Sequence, residues 1–421
     1  MKSRDGLPCV GGFPGFFGGD VEILRFAPPS PGISAEAHPF FAKNVLEMFS
    51  PSGVPWRMTE TGLNEIPLTA RKGRGAVGAP KHRFTTRETV EVDDGWWRDD
   101  EAPLPKLATT LTPDRPRRII TRNSSPDVAF DRSVNPYQGC EHGCIYCFAR
   151  PTHSYFNLSP GLDFETKLFY KPNAARMLAE ELGKPGYKCA PIALGINTDA
   201  YQPVEDRLEI TRSILKVLSA HNHPVSIITK SARVLRDLDI LADMATRNLV
   251  HVTLSITTLD GELARLMEPR ASAPAKRLAA IHALSQAGVI VGVNVAPVIP
   301  GLTDSELESI FEAAAEAGAA EAGHILLRLP FEVKDLFTDW IKTHYPDRAS
   351  KVFSLIRQTR EGGLYQSEWG TRMTGTGPYA DLIRQRALVA RRRFGLERGH
   401  LTLDCSRFAL PPKTGDQLSL F

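Results

Sequence analysis

The chain has 421 residues, 42% of them hydrophobic and 24% charged, and a formal net charge of +3. Those totals fit a globular protein of one large domain with appendages, or of two domains, and they neither demand nor exclude nucleic acid. Six cysteines are too few for a disulfide scaffold, no apolar h-region follows Lys2, Arg4 and Asp5, and the most apolar stretch, VIVGVNVAPVIPG at 289–301, is too short to span a bilayer. The expectation is a cytoplasmic protein with no membrane partner.

Residues 1–57 are rich in Gly, Pro and Phe and keep no period, so they predict a disordered or loosely attached extension. The other reading is that the working protein starts at Met58. Residues 58–125 read as a polar, basic lead-in. It holds ARKGRGAVGAPKHRF (70–84), TRETVEVDD (86–94), which alternates like an edge strand, and PDRPRRIITRN (113–123). With few apolar anchors, it is expected to wrap the surface of the main domain.

From residue 126 a strand–helix rhythm sets in and runs to about 345. The predicted strands are 128–135, 191–198, 224–230, 249–257, 289–297 and 324–330. Helices are predicted at 172–183, 205–220, 232–247, 274–287 and 304–317, then at 331–343, 348–361 and 378–394. In 205–220, Leu208, Ile210, Ile214, Leu215 and Leu218 fall on one face. Gly288 and the pair Gly183 and Gly186 sit where helices stop. Six strand–helix units predict an α/β fold with a parallel sheet, too short for a closed eight-stranded barrel and so an open, partial (β/α)6 TIM-like barrel. Apolar strands suggest a sheet buried on both faces. C-terminal helices over 346–412 and a flexible tail at 413–421 complete the organisation.

The first strand leads into NPYQGCEHGCIYCFAR, where Cys140, Cys144 and Cys147 form a C-x3-C-x2-C run. Reactive groups of such folds gather at the carboxyl ends of the strands, which is where this run lies. Three thiolates this close suit one small soft-metal cluster and leave a four-iron cube one open corner. Structural zinc is the competing reading. It wants four ligands, usually as two separated pairs. Here Cys9, Cys189 and Cys405 are scattered, and His142 lies inside the loop as the remaining nitrogen.

The run with Tyr146 just before its last cysteine resembles the signature of the radical S-adenosylmethionine (radical SAM) superfamily, and the resemblance covers roughly 126–330. NPYQGCEHGCIYC (135–147), GINTDAYQPVE (195–205), LMEPRASAPAKRL (266–278) and NVAPVIPGLTD (294–304) resemble the spore photoproduct lyase-like, or DNA repair photolyase-like, branch. The resemblance implies a barrel of the radical SAM type and a [4Fe-4S] cluster on Cys140, Cys144 and Cys147. It also implies S-adenosylmethionine on the open iron, an electron donor, and reductive cleavage to a 5′-deoxyadenosyl radical that takes a hydrogen atom from the substrate. Spore photoproduct lyase returns a hydrogen atom from a cysteine near the end of the second strand. Ile196 or Asn197 stands there in this chain, and Cys189 comes seven residues earlier, more than about 20 Å away along an extended strand. That departure speaks against the lyase reaction itself, and no catalytic residue is assigned.

Asn197, Thr198 and Asp199 end the second strand and are candidates for the cofactor's amino group or ribose, with turn or N-cap roles as the alternative. Ser255 ends the fourth strand, Asn294 points inward from the fifth, and Tyr146 and Phe148 are expected to pack around the cluster. Arg270 is a candidate clamp for the cofactor carboxylate, or else one half of a surface pair with Glu268. His221 and His223 fall in a turn at the opposite end of the barrel and are not expected to bind metal. The arginines of 71–83, with Arg115, Arg117, Arg118 and Arg122, and those of the last helix, Arg384, Arg386, Arg391, Arg392, Arg393 and Arg398, are candidate contacts to DNA or another nucleic acid, or solvated basic faces. The final residues Gln417, Leu418, Ser419, Leu420 and Phe421 resemble the motif by which bacterial repair proteins bind the replication sliding clamp. A radical SAM enzyme acting on nucleic acid is the main expectation. The same chemistry on a peptide or small metabolite, and a non-enzymatic cluster- or zinc-binding module, stand beside it.

Overall fold

The structure is a computed structural model and describes residues 57–58, 64–65, 70–85, 92–93, 107–397 and 402–412. The predicted extension before Arg57 and the tail motif with Gln417, Leu418, Leu420 and Phe421 lie outside the described residues. Three two-residue strands, β1 (Arg57–Met58), β2 (Asn64–Glu65) and β3 (Val92–Asp93), pair with one another, and β3 is the described part of TRETVEVDD. Next come β4 (Thr110–Pro113), β5 (Ile120–Arg122), β6 (Arg132–Val134), β7 (Tyr137–Gln138), α1 (Leu162–Thr166) and β8 (Lys167–Tyr170).

The alternating part follows: α2 (Ala174–Leu182), β9 (Ile192–Leu194), α3 (Glu205–Leu208), α4 (Ile210–Ala220), β10 (Val225–Thr229), α5 (Leu238–Thr246) and β11 (Val250–Ser255). It continues with α6 (Gly261–Met267), α7 (Pro274–Gln286), β12 (Ile290–Val298), α8 (Leu307–Glu316) and β13 (Glu321–Leu326). Three helices end the described chain: α9 (Val333–His344), α10 (Pro346–Gln358) and α11 (Gly377–Arg393).

The main sheet has seven strands in the order β13-β12-β11-β10-β9-β6-β5. Every pairing from β6 to β13 is parallel, and β5 closes the edge antiparallel to β6. This is the six-unit partial barrel expected from the rhythm. Its strands, however, alternate rather than being buried on both faces. Val225, Ile227, Val250, Val252, Leu254, Val291, Val293 and Val295 are buried in the main core, whereas Ser226, Ile228, His251, Thr253 and Asn294 between them are half-buried. One face packs under helices and the other lines the open interior.

The predicted 205–220 helix is broken at Glu209, which adopts φ 47° and splits it into α3 and α4. The cause is Glu205, whose buried carboxylate accepts the Thr211 amide at 3.1 Å and the Tyr137 hydroxyl and so takes the place of regular helix bonds. The α4 face is the one predicted, with Ile210, Ile214, Leu215 and Leu218 buried. β13 begins earlier than predicted and stops at Leu326, and residues 327–330 turn away to start α9. A second core, with Phe337, Trp340 and Ile341 of α9, packs against Ile145 of the cysteine loop and Met267 of α6, so the helices after the barrel brace that loop from behind.

Candidate active site

The cysteine loop leaves β7 and lies across the carboxyl ends of the strands. Gly139 and Gly143 turn it at φ 79° and 68°, conformations that L-residues rarely adopt. Around it the chain builds a buried ionic cradle. Arg150 is fully buried, and its Nε donates to the Cys144 carbonyl at 2.9 Å. Its Nη1 donates to Pro160 and Gly161 carbonyls, each at 3.0 Å, and its Nη2 to the Gly143 carbonyl at 3.0 Å and Glu165 Oε1 at 2.6 Å. All the guanidinium donors are thereby matched. Glu165, equally buried, also accepts the amides of Gly75 at 3.1 Å and Ala76 at 2.9 Å.

Those two amides belong to the lead-in. At Gly75–Gly78 it is no surface wrap but a buried strap under the loop. A Cβ on Gly75 would lie 1.9 Å from the Gly143 carbonyl oxygen, so only glycine fits there. Arg74 points inward, to the carbonyls of Glu165 at 2.9 Å and Leu107 at 2.7 Å, and is not displayed toward phosphate. The strap was hidden in the sequence because it packs through backbone, and a Gly-rich polar run carries no hydrophobic period.

Cys140 and Cys144 are buried and Cys147 is nearly so. Burial pushes all three thiols up, and neighbouring acidic groups and one another's charge add to the rise at Cys140 and Cys144. Three close thiols, two of them buried, do not ionise together unless a cation holds them, and the donor set therefore fits a cationic metal group such as an iron–sulfur cluster. His142 is buried too. Its Nδ1 lies 3.4 Å from Asp199, and its Nε2 has no hydrogen-bond partner. Among the described residues no three His, Cys, Asp or Glu side chains converge as ligands of one ion would; a four-ligand zinc site is not preformed.

The remaining candidates separate into engaged and open groups. Tyr146 is buried, and its hydroxyl donates to Glu268 and lies 3.1 Å from Thr257 Oγ1. Glu268 is no surface partner of Arg270: it is buried, paired with the buried Arg277, and holds its charge at about 2, because Arg277, Lys230 and the Tyr146 hydroxyl outweigh the burial that would raise it. Arg270 instead donates to Glu141 at 2.8 Å, back across the cysteine loop. Thr198 donates to the Tyr137 carbonyl at 2.8 Å. Asp199 accepts Thr229 Oγ1 at 2.7 Å and the amides of Lys230 and Tyr201, each at 2.8 Å. Burial raises its carboxyl, yet His142 and these donors hold it at about 2.

The Asn197 amide donates to Asn135 at 2.9 Å, and Asn294 lies on the half-buried inner face in register with Ser255 and Gly323. Phe148, expected to seal the cluster, is largely turned outward.

Lys230 was not anticipated. It follows the last residue of β10, its Nζ donates to the Ala296 carbonyl at 3.2 Å, and it stands 5.8 Å from the centre of the Tyr146 ring. Its charge lowers Cys144, Cys147 and Glu268 against the effect of burial. Its place as the last residue of the predicted strand 224–230 was the available signal.

At the amino end of the barrel the predicted non-ligands behave as packing groups. His223 is buried, lies 2.8 Å from the Tyr187 hydroxyl and touches Phe408 edge-on. Cys189 is pushed up to about 12 by burial and by its neighbour Cys405. The basic side chains of α11 are largely paired: Arg384 with Asp381, Arg386 with Glu308 at 2.6 Å and Arg392 with Glu397 at 3.4 Å. No helix among the described residues is long and apolar enough to cross a membrane.

Comparison with known proteins agrees with this architecture. The family profile of the Radical SAM superfamily matches residues 134–314. An uncharacterized protein of Mycobacterium tuberculosis is 39% identical over 241 residues, 56% of this chain and 71% of the relative. An uncharacterized protein of Methanocaldococcus jannaschii is 30% identical over 173 residues, 41% of this chain and 62% of that one. Among solved structures, a point mutant of spore photoproduct lyase superposes with a TM-score of 0.50 at 16% identity, covering 68% of this chain and 80% of that one, a likeness of fold. Profile, strand order and the cysteine loop at the carboxyl ends converge: this chain belongs to the radical SAM superfamily.

Proposed function

We propose that the chain is an iron–sulfur enzyme that cleaves S-adenosylmethionine reductively and directs the resulting radical at a nucleic acid. The observation that carries the chemistry is the set of three thiols on the carboxyl face, two buried and that of Cys147 half-buried, on a loop gripped by Arg150 and Glu165. Cys140, Cys144 and Cys147 hold three corners of a [4Fe-4S] cluster. When bound, the reduced cluster supplies the electron that yields a 5′-deoxyadenosyl radical.

The chain's own groups orient the cofactor. Lys230, rather than the engaged Arg270, is the cation placed to meet the S-adenosylmethionine carboxylate. Tyr146 is fixed by Glu268 and Thr257 and presents its ring beside that ammonium. Asn197, Ser255 and Asn294 are the polar groups left for the amino group and sugar, while Thr198 and Asp199 brace the strand end. The aromatic and aliphatic backing from α9 keeps water from the loop.

The nucleic-acid reading is supported by the four stretches that resemble the photolyase-like branch. Residues Gln417, Leu418, Leu420 and Phe421 would tether the enzyme to a sliding clamp and so to DNA. The compartment is the cytoplasm, where thiols stay reduced.

The test has two arms. Anaerobic turnover with a chemical reductant is expected to give methionine and 5′-deoxyadenosine, lost in Cys144→Ala; absence of both products from the iron-loaded wild type refutes the chemistry. Binding to oligonucleotides is expected to weaken with salt and with Arg391→Glu/Arg392→Glu. Binding unaffected by either refutes the role of α11 in holding nucleic acid.

A further inference from the structure

The rim of the carboxyl face carries exposed rings that neither the cluster nor the cofactor accounts for. Phe148 directly follows Cys147 and is 45% exposed; Phe84, Tyr155 and Phe331 are 56%, 72% and 64% exposed. They come from four segments: the cysteine loop, the 3-10 helix Arg150–Phe156, the strap, and the turn after β13.

One arginine gathers three of them into a cluster, and a second stands against the fourth. The Arg83 guanidinium lies 4.7 Å from the Phe84 centroid, 5.4 Å from Tyr155 and 4.5 Å from Phe331. Glu332 fixes its Nη1 at 3.0 and 3.1 Å, and the Phe84 and Tyr155 centroids are 5.5 Å apart. Farther along, the Arg328 guanidinium lies 5.5 Å from Phe148. Its Nε is buried without a partner and its Nη1 reaches only Met373 Sδ at 3.4 Å, so among the described residues no carboxylate pairs with it. Phe331 is held at φ 48°. A bulky residue in the left-handed region is an outlier, and here the strain displays a ring to solvent instead of burying it.

Single exposed apolar residues need no explanation, but exposed rings grouped against flat guanidinium groups do. Such a group presents π faces and positive charge together, which suits stacked bases and their phosphates better than an aliphatic partner surface. A radical generated in the barrel also reaches a base only when that base is out of its stack.

We propose that Phe84, Phe148, Tyr155 and Phe331, with Arg83 and Arg328, form a platform on which unpaired bases of a nucleic acid stack beside the cysteine loop. The proposal rests on the nucleic-acid reading above and adds that the bound form is single-stranded or locally opened.

Fluorescence anisotropy of the iron-loaded protein with labelled single-stranded DNA, RNA of the same sequence and the matching duplex tests it. Both or either single strand is expected to bind at least about tenfold more tightly than the duplex. Tyr155→Ala and Phe331→Ala are each expected to weaken that binding about tenfold, with Phe331→Trp retaining it. Unchanged iron content and melting temperature show that the variants are folded. Preference for DNA or for RNA supports the platform equally and tells the two sources apart.

If the wild type binds single strands but the alanine variants bind within about twofold of it, the platform is wrong and the substrate class stands. If the duplex binds as tightly as the single strands, the platform is likewise wrong. If the wild type binds no oligonucleotide even at low salt, both readings fall. If the wild type is a dimer that the alanine variants convert to monomer, the rim is a contact between copies and the platform is overturned.

Discussion

The two ends of the barrel hold similar residue types and treat them differently. At the amino end, His223 packs against Tyr187 and Phe408 and stays neutral because burial outweighs its backbone hydrogen bond, and the half-buried Cys189 stays neutral because burial and its neighbour Cys405 both raise it. At the carboxyl end the buried carboxylates Glu268 and Asp199 stay charged because donors surround them. Their partners in turn fix Tyr146, Lys230 and the cysteine loop. A histidine or cysteine is thus a packing group at one end and part of a charged, organised framework at the other.

Substitutions at the two ends sharpen or break this contrast. The largest effect is expected at the cysteines. Cys140→Ala should reduce bound iron and bring S-adenosylmethionine cleavage to background, whereas Cys189→Ala should change neither; equal iron loss in both would erase the distinction. Next in size is the cradle. Arg150→Met leaves Glu165 buried with an unmatched charge, and chemical denaturation is expected to show a loss of roughly 3–5 kcal/mol. A loss below about 1 kcal/mol would mean that water reaches Glu165 and the cradle is not sealed.

The amino end makes its own prediction through pH. Burial pushes His223 down to about 4 from an unfolded value of 6.5. Between those values the unfolded chain binds the extra proton, so the stabilisation is complete above 6.5 and is lost as pH falls toward 4. Urea unfolding of the wild type against His223→Phe across that window should differ in slope, with a total of up to about 3 kcal/mol. Parallel curves would place the ring in water. The smallest effect is expected for Lys230→Met, about a tenfold rise in KM for S-adenosylmethionine with iron content unchanged. An unchanged KM alongside a similar rise in Arg270→Met would return the carboxylate to Arg270.

The strands and helices were legible because β-branched runs and one-faced helical patterns need only local sequence. The cysteine loop was legible because its spacing is itself the signal. What was hidden depended on partners far apart in the chain. Thr198 and Asp199 were read as ending the second strand, but β9 stops at Leu194 and both lie in the loop beyond it, and nothing in GINTD shows that Tyr137 and Thr229 claim their oxygens. Arg270 read as a cofactor clamp or a surface partner of Glu268, whereas Glu141, 129 residues earlier, takes its guanidinium. The break at Glu209 came from a carboxylate turned back on its own helix, against a continuous apolar period. The strap at Gly75 left no trace because its contribution is the absence of a side chain.

The central claim is that Cys140, Cys144 and Cys147 hold a cluster with one iron open to S-adenosylmethionine. Electron paramagnetic resonance of the anaerobically reconstituted, reduced protein tests it most directly. About four irons per chain and a cluster signal that shifts when S-adenosylmethionine is added are the expected result. Zinc or a single iron in place of the cluster, or a cluster signal that S-adenosylmethionine leaves unchanged, would contradict it.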